Sequence, residues 1–312
     1  MYLRHFSLRE APFSITPDAA FFYPHEGAQA ALNTLLVAIR SGEGFLKVVG
    51  EVGCGKTVLC RQLLRTLQGE CVTAYIPNPD LGPRDLLQAL AQELGLKLPA
   101  SATRYRLLDS LQRCLLGHAA QGRAVVLIVD EAQAIPVRTV ESLRLLSNLE
   151  TEKRKLIQII LFGQPELDRK LARPEIRQLL QRITFSEHLG PMAAQRVGPY
   201  VRHRLQLAAT GLPADPDVFE PAAMQALAQF SGGVPRVVNV LANKCLMLAY
   251  GENRHRVSAS DVRLAAKDTA AVDAGSASWW DRLVGGRFRP AGLPGGAPTP
   301  AHPVEVPPKA RP

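Results

Sequence analysis

Gly50-Glu51-Val52-Gly53-Cys54-Gly55-Lys56-Thr57 fills every fixed position of the pattern G-x-x-x-x-G-K-[ST]. Phe45–Val49, just before it, reads as a buried strand, and Lys56–Leu67 carries the apolar spacing of a helix. A glycine loop between strand and helix turns its backbone N–H groups inward and aims the helix N-terminus at the same hollow, an arrangement that holds phosphate. Glycine is needed where a Cβ would clash or φ is positive. Lys56 is the expected point charge on the β- and γ-oxygens of ATP, and the Thr57 hydroxyl the expected ligand to Mg²⁺. The whole loop, Gly50, Glu51, Val52, Gly53, Cys54, Gly55, Lys56 and Thr57, is therefore the candidate nucleotide cradle.

Outward from the loop, strands and helices alternate. Val72–Ile76 reads as a strand, Asp85–Leu94 and Leu107–Ala119 as helices. Ala124–Asp130 and Leu156–Phe162 are short, apolar and β-branched, the signature of strands covered on both faces. The alternation predicts βαβ units and a doubly wound parallel sheet. Upstream, Leu32, Leu35, Leu36 and Ile39 follow helical spacing within Ala28–Arg40. From about Pro191 the strand signal stops. Gln195–Leu207, Pro221–Phe230, Arg236–Tyr250 and Ala259–Ala270 read as helices, the last capped by Ser258 or Ser260. The expected organisation is a leading segment (1–44), an α/β core (45–190), an all-helical unit (191–272) and a disordered Gly/Pro-rich tail (273–312).

Val125–Val129 runs apolar into Asp130-Glu131. An acid at the carboxyl end of a buried parallel strand faces the ligand crevice. Asp130 is thus a candidate to hold Mg²⁺, and Glu131 to orient and deprotonate water. The alternative is a helix N-cap followed by a first-turn acid. Gln164, at the tip of the next strand, is a candidate to position that water, or else a polar turn residue. Two arginines are candidates to stabilise the transferring phosphoryl group. Arg236 follows the Gly232-Gly233-Val234-Pro235 turn, and Arg182 sits at the edge of the core. Arg173 and Arg177 compete with Arg182, and any of them could equally be a solvated surface residue.

The 312 residues are 46% hydrophobic and 21% charged with a net charge of +9, a globular balance that favours anionic partners. Five cysteines without C-x-x-C spacing suit a reducing compartment. The N-terminus lacks the apolar stretch of a signal peptide, and no apolar run approaches membrane-spanning length. A cytoplasmic protein is expected, peripheral at the inner membrane if attached at all.

Together the motifs resemble the AAA+ secretion ATPase family of the ExeA/GspA type, and within it the branch serving MSHA (mannose-sensitive haemagglutinin) pilus biogenesis. The resemblance covers about residues 1–270. It rests on Glu10–Pro17, Ala31–Leu36, Arg40–Phe45, Gly50–Thr57, Asp130–Gln133, Phe162–Leu167, Arg177–Ile183 and Gly233–Arg236. It implies an AAA+ P-loop core with a helical lid, hydrolysis of Mg-ATP, and sensor roles for Gln164 and Arg236. It makes Arg182 the expected finger reaching a neighbouring subunit, hence a ring-like homo-oligomer. It puts Pro12-Phe13 near the adenine pocket and implies pilus or secretion assembly proteins at the inner membrane as partners. Cys54 stands where relatives usually carry Thr, so oxidation sensitivity is expected of that thiol. The Gly/Pro tail is unlike the membrane span and periplasmic region of the longer members and favours the shorter pilus type. Trp279-Trp280 with Arg282, Arg287 and Arg289 is a candidate membrane or partner contact. A DNA-associated ATPase of the transposition or initiator type is the alternative, using the positive charge on nucleic acid. A third reading, a scaffold that binds ATP without turnover, would leave Glu131 without a purpose.

Overall fold

The computed structural model describes residues 2–151, 154–211 and 218–269. Its strands are β1 (Phe45–Val49), β2 (Cys71–Ile76), β3 (Ala124–Val129), β4 (Gln158–Gly163) and β5 (Ile183–His188). All pair in parallel, in the order β2-β3-β4-β1-β5. The helices are α1 (Tyr2–His5), α2 (Glu26–Arg40), α3 (Lys56–Leu67), α4 (Pro83–Glu93), α5 (Arg104–Ala120) and α6 (Val137–Ser147). There follow α7 (Glu166–Leu171), α8 (Arg177–Leu180), α9 (Ala194–Ala208), α10 (Pro221–Ser231), α11 (Pro235–Gly251) and α12 (Ala259–Lys267).

The period of two along a strand divides the apolar residues of β3 between two cores. Val125, Leu127 and Val129 join Leu86, Leu107 and Leu143 from α4, α5 and α6. Val126 and Ile128 face the other way, onto Leu35 of α2 and Leu59 and Leu63 of α3. Ile159 and Leu161 of β4 split from Ile160 and Phe162 in the same manner. Each such fully buried aliphatic side chain contributes about 1.5–3 kcal/mol, which is why the central strands read as unbroken apolar runs.

The edges read differently. β5 was not expected as a strand, because Ile183-Thr184-Phe185-Ser186-Glu187-His188 is half solvated and mixes charge with apolar residues. It bulges at Thr184, whose hydroxyl donates to the Phe45 carbonyl at 3.0 Å while the pairing jumps from Ile183 to Phe185. From β1 the chain crosses to β2 at the far edge, returns through β3 and β4, and lays β5 on the other side of β1. That reversal opens a crevice at the carboxyl ends of the strands beside β1.

α9 to α12 form a separate helical core, and Phe6, Leu8, Phe13 and Phe21 from the N-terminal arm are buried in it. α2 instead packs on the sheet. Ser258, not Ser260, caps α12, in a capping box with Asp261. Gly233, between α10 and α11, has φ +76°, and a Cβ there would lie 2.0 Å from the Met192 carbonyl oxygen. Met192 N–H donates to Gly233 O at 2.9 Å, pinning the turn to the segment entering α9. Gly233→Ala is expected to cost about 2–4 kcal/mol from the clash and the left-handed backbone together, read as a lowered midpoint in chemical denaturation.

No helix among the described residues is long and apolar enough to cross a membrane. The Gly/Pro tail and Trp279-Trp280 lie outside the described residues.

Candidate nucleotide site

The P-loop leaves β1 at Gly50, whose N–H donates to Gly163 O of β4 at 3.1 Å. A Cβ on Gly50 would sit 2.3 Å from the Leu189 carbonyl oxygen, so only glycine passes this crossing. Gly53 and Gly55 hold φ +86° and +95°, which glycine adopts without strain. Gly55 is the N-cap of α3, so the helix N-terminus opens directly onto the loop. Lys56 is buried, with Nζ donating to the carbonyls of Gly50 at 2.7 Å and Glu51 at 3.0 Å. Burial lowers its pKa, and the charges of Glu131, Cys54, Asp130 and Glu51 oppose that shift.

Asp130 follows β3 and is 2% exposed. Burial raises its carboxyl above the usual range, opposed first by the hydrogen bond from the Thr57 hydroxyl and next by the Glu131 N–H, which donates to Oδ1 at 2.9 Å. The two residues expected to hold Mg²⁺ are therefore neighbours, and hydroxyl and carboxylate are the hard oxygen donors that this ion takes. Glu131 has φ +49° and ψ +39°, a left-handed conformation uncommon outside glycine. Although it occupies the N-cap position of a short 3-10 turn (Ala132–Ala134), its side chain makes no capping bond. Its Oε2 instead accepts from Gln133 Nε2 at 2.5 Å and from Gln164 Nε2 at 3.2 Å.

Glu131, Gln164 and Arg236 line one cleft with Gly53–Thr57. Arg236 N–H donates to Gly53 O at 3.2 Å, so the helical unit touches the loop backbone directly. Arg182 is elsewhere. Its Nη1 donates to Ser147 Oγ at the end of α6 at 3.1 Å, and Glu141 and Glu150 feel its charge. Arg173 and Arg177 do not line the cleft either.

The far end of the cleft is walled by Ser14–Asp18 and Phe21–Tyr23 of the arm, Tyr200 and Arg204 of α9, and Asn239 of α11. Pro12 and Phe13, expected near the adenine pocket, do not line the cleft themselves, but the Pro12 carbonyl accepts from Arg204 of its wall. Phe13 turns into the helical core, edge-on to Phe219 with ring centres 6.0 Å apart, because its apolar ring is more stable among α9–α12 than at an open cleft. Arg204 is the residue that the sequence did not disclose. Only 6% exposed, it donates to Pro12 O and to the Tyr200 hydroxyl, and its guanidinium lies 4.7 Å from the centre of the Phe21 ring. Tyr200 in turn donates to Asn239 at 2.8 Å, so one arginine joins arm, α9 and α11 beside the cleft.

Cys54 differs from expectation. It is buried, and burial pushes its thiol up to about 11, leaving almost no thiolate near neutral pH. Since the thiolate is the reactive form, neutral-pH peroxide is expected to leave nucleotide binding and turnover unchanged, as a time course of residual activity would record.

Residues 39–171 match the family model described as an AAA domain. The chain is 42% identical over 272 residues to the general secretion pathway protein A of Aeromonas hydrophila, covering 87% of this chain and 49% of that protein. It thus spans about half the length of that curated relative. Among solved structures it resembles the ORC2 protein of Aeropyrum pernix in its ADPNP-ADP complexes, with TM-score 0.61 and 19% identity over 82% of this chain and 72% of that one. The Cdc6p structure from Pyrobaculum aerophilum gives TM-score 0.65 at 15% identity over 82% and 70% of the two chains. The RuvB Holliday junction branch migration motor of Thermotoga maritima gives 0.53 at 18% over 78% and 68%. These likenesses establish the fold as the P-loop AAA type, with a parallel sheet and a helical C-terminal region.

Proposed function

We propose that this chain, an AAA-type P-loop fold similar to general secretion pathway protein A, binds Mg-ATP and hydrolyses it to drive a secretion or pilus assembly machine. One observation carries the reading: Lys56, Thr57 and the Glu131–Gln164 pair line one crevice at the carboxyl ends of β1, β3 and β4, with the buried Asp130 carboxylate beside Thr57.

Gly50–Thr57 binds the phosphates through backbone N–H groups, and Lys56 adds charge at the β- and γ-oxygens. Thr57 and Asp130 hold Mg²⁺, which when bound neutralises charge on the transferring phosphoryl group. Glu131 orients a water and accepts its proton, while Gln164 aligns it. Arg236, tied by its own N–H to Gly53 O, carries the state of the phosphates into the helical lid. Arg182 serves the site of a neighbouring subunit, which makes the working form a ring.

The first experiment is phosphate release with Mg-ATP by wild type and Lys56→Ala. Turnover abolished by the variant supports the reading, and equal turnover overturns it. The finer proposal is the MSHA or type IV-like pilus branch, that of MshM, with assembly proteins at the cytoplasmic face of the inner membrane as partners. Co-purification with such assembly proteins in an ATP-dependent manner is its test. The net charge of +9 favours one second reading, a DNA-associated ATPase. It would require a duplex-DNA affinity that falls steeply with salt.

A further inference from the structure

We infer that Gln133 is a positioning residue that locks the Glu131 base to the Gln164 sensor, so that the two act as one unit. The inference rests on the hydrolytic reading above. Gln133 Nε2 donates to Glu131 Oε2 at 2.5 Å, and Gln133 Oε1 accepts the backbone N–H of Gln164 at 3.0 Å. Gln164 Nε2 then donates to the same Glu131 oxygen at 3.2 Å, which closes a ring of hydrogen bonds between the tips of β3 and β4.

A side-chain amide suits this place because its NH₂ donates to the carboxylate while its oxygen accepts from an N–H. The strand tip is shaped for it. A Cβ on Gly163 would come within 3.2 Å of Gln133 Oε1 and 2.8 Å of Leu167. Gln133 itself is held from behind, since Lys170 of α7 donates to the carbonyls of Gln133 and of Ile135, the latter at 2.7 Å. α7 begins two residues after Gln164, so backbone and side chain of Gln133 are fixed by the same β4–α7 connection.

Both amide donors converge on Oε2. Among the described residues, Oε1 of Glu131 accepts no hydrogen bond from the protein, and it is the oxygen left to meet water. When the Gln164 side chain turns to a γ-phosphate, its backbone N–H stays on Gln133. The carboxylate thereby remains registered to the strand that senses the nucleotide. A misplacement of about 1 Å at such a group can cost 10²-fold in rate, which is the scale of effect that the lock prevents.

The test is a double-mutant cycle on kcat with saturating Mg-ATP, using full-length wild type, Gln133→Leu, Gln164→Ala and the double variant, with Glu131→Gln as the blank. Gln133→Leu is expected to lower kcat about 30-fold, with nucleotide Kd within twofold and an unchanged melting midpoint. In the Gln164→Ala background the same change is expected to cost less than threefold, because no Gln164 side chain remains to be kept in register with the base. Gln133→Glu, which keeps size but sets a like charge against Glu131, is expected to lose at least as much kcat with Kd again unchanged. An equal fold-loss in both backgrounds, or a kcat untouched by both Gln133 variants, overturns the inference while leaving hydrolysis at Glu131 intact. A fully active Glu131→Gln overturns the hydrolytic reading itself, and this inference with it.

Discussion

Glu131→Gln is expected to bind Mg-ATP as tightly as wild type and to hydrolyse it about 10²–10⁴-fold more slowly, the range that a positioned general base contributes. The substitution is nearly isosteric. An amide oxygen at the position of Oε2 can still accept from Gln133 and Gln164, so the ring between β3 and β4 survives. The groups that grip the nucleotide are elsewhere. Lys56 lies across the loop, and Thr57 neighbours Asp130. What disappears is the capacity to take a proton from water. Equilibrium binding of nucleotide beside phosphate release would separate the two effects. Retained binding with lost turnover is the expected pattern, and lost binding would mean that Glu131 shapes the cradle instead. The left-handed backbone at Glu131 also makes the variant informative. Gln tolerates that conformation no better than Glu, so any change in stability reports on the charge and not on the backbone.

Parts of this site were legible in sequence because their requirements are local. Gly50–Thr57 is contiguous, and each glycine answers to its own φ or its own clash. Asp130 and Glu131 follow an apolar run whose burial predicts where its end must point. The central strands were legible for the same reason, being buried on two faces. β5 was not, because an edge strand half in solvent carries no apolar pattern, and its bulge at Thr184 breaks what alternation there is. Gln133 stood in plain view beside Glu131, yet its work is a contact 31 positions away that exists only once β3 and β4 lie side by side. Arg204 meets Pro12 across 192 positions. Nothing in either neighbourhood announces that a buried guanidinium will be shared between the arm and the helical unit.

Arg182→Ala is expected to bind nucleotide normally and to lose about 10³-fold or more in turnover, the scale of an arginine finger. Arg182 lies between α8 and the edge strand β5, bonded to Ser147 Oγ at 3.1 Å and absent from the wall of its own cleft. Its loss from the isolated fold removes one part-exposed hydrogen bond, about 1 kcal/mol. That is too little to unfold the core, so a dead enzyme could not be blamed on misfolding. If its work is done in a neighbour's site, two further results follow. Wild-type activity per subunit rises with protein concentration as rings form. More tellingly, mixing Arg182→Ala with Glu131→Gln revives turnover, although each alone is silent. In a mixed ring, an Arg182→Ala subunit keeps its own Glu131 and receives an intact Arg182 from the Glu131→Gln subunit beside it. An arginine acting within its own subunit permits no such rescue. Silence of the mixture at every ratio, with both variants oligomeric by light scattering, would therefore remove Arg182 from the shared site. The search would then move to Arg173 and Arg177, which also lie outside the cleft of their own subunit.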